Sequence, residues 1–360
     1  MKRKWRHSGN LLLIGLIASF MHLDSASAQE AVIVESNLVY GTAIDYTGSN
    51  VSLALDAYYV NSTKTNREVV ILTHGGGFGA GDKGYTAAQG NFYPDMATAF
   101  ASNGYVAFSI NYRLWPGCTD GCTQEVDMAV EDVVTALDWI RAHSVYYGID
   151  ATKVLIAGDS AGGGLAVNTS YRSTNVNSFL GCISLWGGMP PYGTDVHPVN
   201  TCPITSQTPP TCMIHGTADT IAPYAVSLML SSNLTAAAIY NELHPLAGYN
   251  HYPVMVNNVY NTNLVGIIIN YMIAFADLTT GYLQPTVPVR LGDHYSPVAN
   301  GLISFDITGP TNVTIAVEQS SNLMSTWQAI ATIPLTTGAT RFTNTILGAS
   351  QFYRARIVPP

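Results

Sequence analysis

The stretch Lys153-Val154-Leu155-Ile156-Ala157-Gly158-Asp159-Ser160-Ala161-Gly162-Gly163 decides how this chain is read. Val154 to Ala157 is a short apolar run, which with Lys153 predicts a strand, and a helix is expected directly after Ser160. The junction fits G-x-S-x-G. A strand that turns into a helix this tightly leaves no room for side chains two places before and two places after the serine, hence glycine at both. The hydroxyl then stands free at the turn. Behind it the helix N-terminus directs positive partial charge at any anion that forms there. A serine so placed points to nucleophilic attack on a carbonyl.

Upstream, His74-Gly75-Gly76-Gly77-Phe78 follows a predicted strand from Val69 to Thr73. A carbonyl under attack gains negative charge on oxygen, and backbone N–H groups reach that oxygen only where no side chain intervenes. The N–H groups of Gly76, Gly77 and Ala161 are therefore expected to form a three-donor oxyanion hole. One such donor typically lowers the barrier by ~3 to 4 kcal/mol. A phosphate-binding glycine loop would need a following Lys-Ser/Thr pair or G-x-G-x-x-G, and neither is present at the needed offset. His74 reads as a brace for the loop. Phe78 and Trp186 are candidates for pocket walls, and equally for plain core.

A nucleophile on such a turn is followed in the chain by an acid and then a histidine. After the predicted strand Thr211 to His215 comes a loop carrying Asp219, which is read as the acid; its competing role is to cap the helix that follows. Two histidines lie beyond. His251, in the loop Gly248-Tyr249-Asn250, is preferred as the base, because a loop can carry an imidazole over Ser160. His244 ends a predicted strand from Ala238 to Leu243 and is the alternative. His215 is expected to lie buried beneath the Asp219 loop.

From Asn37 to about Tyr282, short β-branched runs alternate with longer helical stretches, as in a mostly parallel sheet covered by helices. Further strands are predicted at Val51 to Ala57, Tyr105 to Asn111 and Gly181 to Leu185. The clearest helix runs from Gln124 to His143, where Val126, Val130, Val133, Val134, Leu137 and Ile140 recur at helical spacing. Others are expected after Ser160, from Ala222 to Leu234, and from Leu264 to Phe275. Residues 284–300 hold Pro285, Pro288 and Pro297 without periodicity and read as a linker. From 301 to 360 the texture is short strands separated by Gly, Pro, Asn and Ser turns. That predicts a small β-sandwich-like domain.

At the N-terminus Lys2, Arg3, Lys4 and Arg6 precede the apolar run Leu11 to Phe20, followed by Ala26-Ser27-Ala28. This order predicts a signal peptide over 1–28 and a secreted or periplasmic protein, with 29–283 as the catalytic domain. The run is about half the length of a membrane-spanning helix, so no stable anchor is expected. Removing 1–28 takes away four of the 15 Lys and Arg and one of the 23 Asp and Glu, which leaves 11 against 22. An acidic chain without a cationic block is a poor partner for nucleic acid. Five cysteines remain: Cys118 and Cys122 could close one small loop, Cys202 and Cys212 another, with Cys182 in an apolar run as a buried thiol. No zinc-ligand spacing is present, and the chemistry calls for no metal or cofactor.

Three motifs taken together, His74 to Phe78, Ile110-Asn111-Tyr112-Arg113-Leu114 and Ala157 to Gly163, resemble the carboxylesterases related to hormone-sensitive lipase and the acetyl and feruloyl esterases near them. The resemblance covers roughly Asn37 to Tyr282. It implies an α/β-hydrolase fold, a Ser160–Asp219–His251 triad, the oxyanion donors named above, and hydrolysis of small-molecule or polymeric esters. Only about 45 mature residues precede His74 and about 59 separate Ser160 from Asp219, so the helical cap of many relatives is expected to be absent or small. The ending Gln351-Phe352-Tyr353-Arg354-Ala355-Arg356 resembles accessory β domains of secreted bacterial proteins, which implies attachment to a surface or polysaccharide. Two other classes share the elbow. A peptidase of the prolyl-oligopeptidase type would need room for a propeller before it, and an inactive hydrolase-like binding protein would need a broken triad.

Overall fold

The computed structural model describes residues 31–84, 90–117, 123–172, 175–187, 204–256, 259–280, 290–291, 296–298, 302–308, 313–320, 328–336, 339–345 and 352–358. The expected signal peptide and Cys118, Cys122 and Cys202 lie outside these residues. In chain order come β1 (Val32–Ile44), β2 (Asn50–Val60), β3 (Arg67–Thr73), α1 (Phe92–Ser102), β4 (Val106–Ile110), α2 (Thr123–Ala142) and the single turn α3 (Ser144–Tyr147). They are followed by β5 (Ile149–Asp159), α4 (Ala161–Tyr171), β6 (Gly181–Leu185), β7 (Thr211–Gly216), α5 (Ala225–Ala236) and β8 (Asn241–Leu246). A two-strand ribbon, β9 (Met255–Val256) and β10 (Val259–Tyr260), precedes α6 (Thr262–Thr279).

Strands β1 to β8 form one sheet in the order β1-β2-β4-β3-β5-β6-β7-β8. β1 pairs antiparallel with β2, and β2 with β4; every later pairing is parallel. The expected mostly parallel sheet flanked by helices is what the chain forms. β3 shows why: all seven of its residues are buried, as in a central strand covered on both faces. On one face Val126, Val130, Val133, Leu137 and Ile140 of α2 pack with Leu165 of α4 and Leu230 and Leu234 of α5. On the other, Phe92, Met96 and Phe100 of α1 pack with Ile268, Ile269, Met272 and Phe275 of α6. Among the described residues α6 alone is long and apolar enough to cross a membrane; Ile268, Ile269, Met272 and Phe275 lie in this core, while Ile267 and Tyr271 are exposed.

The loop after β4 ties the functional end of the sheet together. Tyr112 donates its hydroxyl to the carbonyl of His74 at 2.6 Å. Arg113 gives its backbone N–H (2.6 Å) and Nε–H (2.9 Å) to the buried carboxylate of Asp132 on α2. A buried charge pair with this geometry is costly to break, because either partner alone would be left uncompensated. The Asn-Tyr-Arg run is thus a clasp between α2 and the glycine loop.

Several boundaries differ from expectation, among them these three. α5 starts at Ala225 rather than Ala222, and β8 spans Asn241–Leu246 rather than 238–243. α5 ends at Ala236, and just beyond it Ala238 takes a φ of 58° while Ala238 and Ile239 return their N–H groups to the carbonyls of Thr235 and Leu234, so the strand begins late. The third lies in 284–300, read as linker: β11 (Arg290–Leu291) and β12 (Ser296–Val298) both pair antiparallel with β13 (Leu302–Thr308). β14 (Val313–Ser320), β15 (Gln328–Leu335), β16 (Ala339–Thr345) and β17 (Phe352–Val358) follow, with β16 on β13 and β15 and β17 flanking β14. Among the described residues beyond α6 the elements are strands, and their pairing already begins inside the proline-containing stretch.

Candidate active site

Ser160 sits between the last residue of β5 and the first of α4, with φ 49° and ψ −120°. The turn is held by its N–H to the carbonyl of Leu185 (2.9 Å) and by Gly164 N–H to its own carbonyl (3.0 Å). A Cβ on Gly158 would lie 2.4 Å from the Thr73 carbonyl oxygen, and one on Gly162 only 2.0 Å from it. Both glycines are required because the backbone of β3 passes directly against the turn.

Oγ of Ser160 lies 2.8 Å from Nε2 of His251, and Nδ1 of His251 lies 2.7 Å from Oδ2 of Asp219. The carboxylate accepts at Nδ1, which fixes the tautomer: Nδ1 carries the proton and Nε2 is free to accept the serine's. Asp219 comes from the loop after β7, and its Oδ1 accepts the N–H groups of Ile221 and Ala222, each at 2.9 Å. The competing reading, a cap for the next helix, is thus satisfied by one oxygen while the other serves the histidine. Burial raises the carboxyl's pKa, but the bonds from His251, Ala222 and Ile221 outweigh it and the group lies below its ordinary value. His251 is buried in the loop after β8. His244 is elsewhere: it lies within β8, stacks on Tyr271 at 4.0 Å and bonds Glu242 at 2.9 Å.

The glycine loop follows β3. Gly76 has φ 123°, and a Cβ there would meet the Ala80 carbonyl oxygen at 2.0 Å, while Gly77 has φ 61° with open space around it. Among the described residues the N–H groups of Gly76, Gly77 and Ala161 have no protein acceptor. Unpaired donors at the head of α4 and along a glycine loop are what a developing oxyanion needs. His74 braces the loop as expected, with Nδ1 2.8 Å from the Gly75 carbonyl and its ring stacked on Tyr112 at 4.4 Å. Burial lowers its pKa to about 4.

Of the two readings left open for Phe78 and Trp186, pocket wall or plain core, the second holds. Phe78 and Trp186 are 2% and 0% exposed and belong to the core. Both have positive φ, 57° and 37°, which turns their side chains inward: Phe78 toward Tyr112, Trp186 onto Phe92. Trp186 instead donates its indole N–H to Asp159 at 3.1 Å. Asp159 also accepts from Gly75 N–H at 2.8 Å and from the Tyr93 hydroxyl. Its importance escaped the sequence reading, although the acidic residue just before the nucleophile was in view. His215 is buried beneath the loop, as expected, and in addition contacts Asp219.

The expected Cys202–Cys212 bridge is corrected. Cys212 is a free thiol within β7 and is fully buried. Cys182 is a free buried thiol, as expected, and burial pushes its pKa up to about 12. Among the described residues one group, Cys212, Glu242 and His244, brings metal-ligand atoms within 4.8 Å of one another. It lies toward the N-terminal ends of β7 and β8, whereas the Ser160 site lies at the C-terminal ends.

Residues 55–182 match the family model BD-FAE. Esterase LipI of Mycobacterium tuberculosis is 32% identical over 108 residues, which is 30% of this chain and 30% of that protein. Lipase 2 of a Moraxella species is 29% identical over 102 residues, 28% of this chain and 21% of that one. The chain thus spans less than a third of the length of these curated relatives. Among solved structures, esterase 2 of Thermogutta terrifontis, phosphorylated by paraoxon, superposes with a TM-score of 0.55 at 25% identity, covering 70% of this chain and 96% of that one.

Proposed function

We propose that this α/β-hydrolase, related to the hormone-sensitive-lipase-like esterases, is a secreted serine carboxylesterase that works through an acyl-enzyme intermediate. The observation that carries the reading is the continuous line of contacts from Ser160 through His251 to Asp219, 2.8 and 2.7 Å long. His251 Nε2 takes the serine proton as Oγ attacks the ester carbonyl, and the oxygen's new charge is received by the N–H groups of Gly76, Gly77 and Ala161. The imidazolium then protonates the departing alcohol. Water, giving its proton to His251, releases the acid and restores the serine. Asp219 holds the imidazole in the tautomer both halves require. No step calls for a cofactor.

For substrate we name acetyl or feruloyl esters of plant polysaccharide, in keeping with the resemblance of the three sequence motifs to acetyl and feruloyl esterases and with the export signal read in the sequence of residues 1–28. Attachment to a surface or polysaccharide is assigned to the C-terminal β strands. The test is hydrolysis of p-nitrophenyl acetate, feruloyl esters and a peptide anilide by the purified chain and by Ser160→Ala. Esters are expected to turn over and the anilide not, with the variant's kcat about 10⁴-fold lower or more. A variant near wild type, or preference for the anilide, contradicts the proposal.

A further inference from the structure

We propose that His215 is a positioning residue of the triad, a second imidazole whose Nε2–H holds Asp219 Oδ2 in place and limits how strongly that oxygen draws the His251 proton. The inference rests on the function proposed above and extends the relay inward by two residues. His215 is in β7, wholly buried. Its Nε2 lies 3.1 Å from Asp219 Oδ2 and 2.8 Å from the carbonyl oxygen of Ala222. Its Nδ1 lies 2.8 Å from the hydroxyl oxygen of Ser227, itself buried on α5.

The partners fix the protons. Both neighbours of Nε2 are obligate acceptors, so Nε2 carries hydrogen; Nδ1 of a neutral ring then accepts, and the Ser227 hydroxyl donates to it. Burial holds the ring's pKa below the ordinary histidine value against the opposing effects of Ala222 and Asp219, so the ring stays neutral. The resulting order runs Ser227 O–H to His215, His215 N–H to Asp219, His251 N–H to Asp219, and Ser160 O–H to His251. Asp219 is held on all sides: two backbone N–H groups on Oδ1 and two imidazole N–H groups on Oδ2.

A hydrocarbon ring could fill the same space, so volume alone does not explain an imidazole here. What it adds is a directed donor to the oxygen that steers the catalytic base. Each donor to a carboxylate lowers its basicity, and without His215 the remaining pull on the His251 proton is stronger. Ring contacts to the two imidazoles are made by Tyr224, 5.8 Å from His215, and by Tyr252, 4.9 Å from His251.

The experiment compares His215→Phe, His215→Gln and Ser227→Ala in the full chain, reading kcat and KM against pH and the melting temperature. In His215→Phe, kcat is expected to fall about 10-fold with little change in KM, and the acidic limb of the kcat/KM profile to move to higher pH. His215→Gln places an amide N–H near the lost donor and should restore both; Ser227→Ala should move the limb in the same direction by less. A folded His215→Phe whose limb and kcat match wild type overturns the inference, even if its melting temperature drops. Should the phenylalanine variant not fold, an unmoved limb in Ser227→Ala overturns it. Absence of any Ser160-dependent hydrolysis would instead reject the functional proposal. The inference would then be read from the low-field proton resonance of the His251–Asp219 bond, expected to shift in Ser227→Ala and overturned if it does not.

Discussion

The backbone nitrogen of Gly75 lies 2.8 Å from Oδ1 of Asp159, so the loop of the proposed oxyanion donors is fastened to the residue immediately before the proposed nucleophile. The same carboxylate accepts the indole N–H of Trp186 and the hydroxyl of Tyr93, which brings β3, β5, β6 and α1 to one point. Two halves of the site from distant parts of the chain are thereby set at a fixed spacing.

Asp159→Asn puts an NH2 group where only acceptors fit, so one of these donors must turn away. We expect kcat to fall about 100-fold with KM nearly unchanged, the loss typical of one misplaced oxyanion donor. Thermal unfolding should shift downward as well, since a buried donor left unpaired costs about 1 to 3 kcal/mol. Steady-state kinetics and calorimetry on the purified variant check both.

Gly162→Ala and Gly77→Ala should behave oppositely. At 162 a methyl would collide with the Thr73 carbonyl at 2.0 Å, backbone against backbone, and the expected loss exceeds about 3 kcal/mol. At 77 there is open space and only the left-handed φ of 61° is strained, worth about 1 to 2 kcal/mol. Denaturant titration should find Gly77→Ala folded and Gly162→Ala unfolded or barely stable.

Acid should weaken the fold through His74. Its folded pKa of about 4 lies below the unfolded value, so between about pH 6.5 and 4 the unfolded chain binds more protons and stability rises with pH. The full stability is present above about pH 6.5 and declines toward pH 4 by up to about 3 kcal/mol. Asp219, with its pKa lowered, adds a further loss only as pH falls below the ordinary carboxylate range. In His74→Asn, which keeps a donor for the Gly75 carbonyl, unfolding free energies measured across this window should lose the part of the slope that His74 contributes, while His215, also lowered by burial, keeps its own.

What could be read from the sequence was what local chemistry dictates. β3, β5 and β6 were recognisable because a buried parallel strand is a plain apolar run, and the grouping of Ser160, Asp219 and His251 because a glycine-flanked serine leaves few places for its partners. β1 was missed: Val32–Ile44 is half exposed at the sheet's edge, with a positive φ at Asn37 that breaks its alternation. α1 was missed because it is short and carries Pro94 in its first turn. Phe78 and Trp186 could be read equally as wall or core, because adjacency in sequence does not say where a side chain points; both have positive φ and lie in the core. The joint role of Asp159 was not legible because its donors lie at Gly75, Tyr93 and Trp186, brought together only by the folded sheet.

The central claim is that Ser160 is the nucleophile, and the most direct measurement is covalent capture by paraoxon followed by peptide mapping. One diethylphosphoryl group per chain is expected on Ser160, absent from Ser160→Ala and formed far more slowly in His251→Ala. A folded, esterase-active chain that takes up no label, or carries it on another residue, would contradict the account.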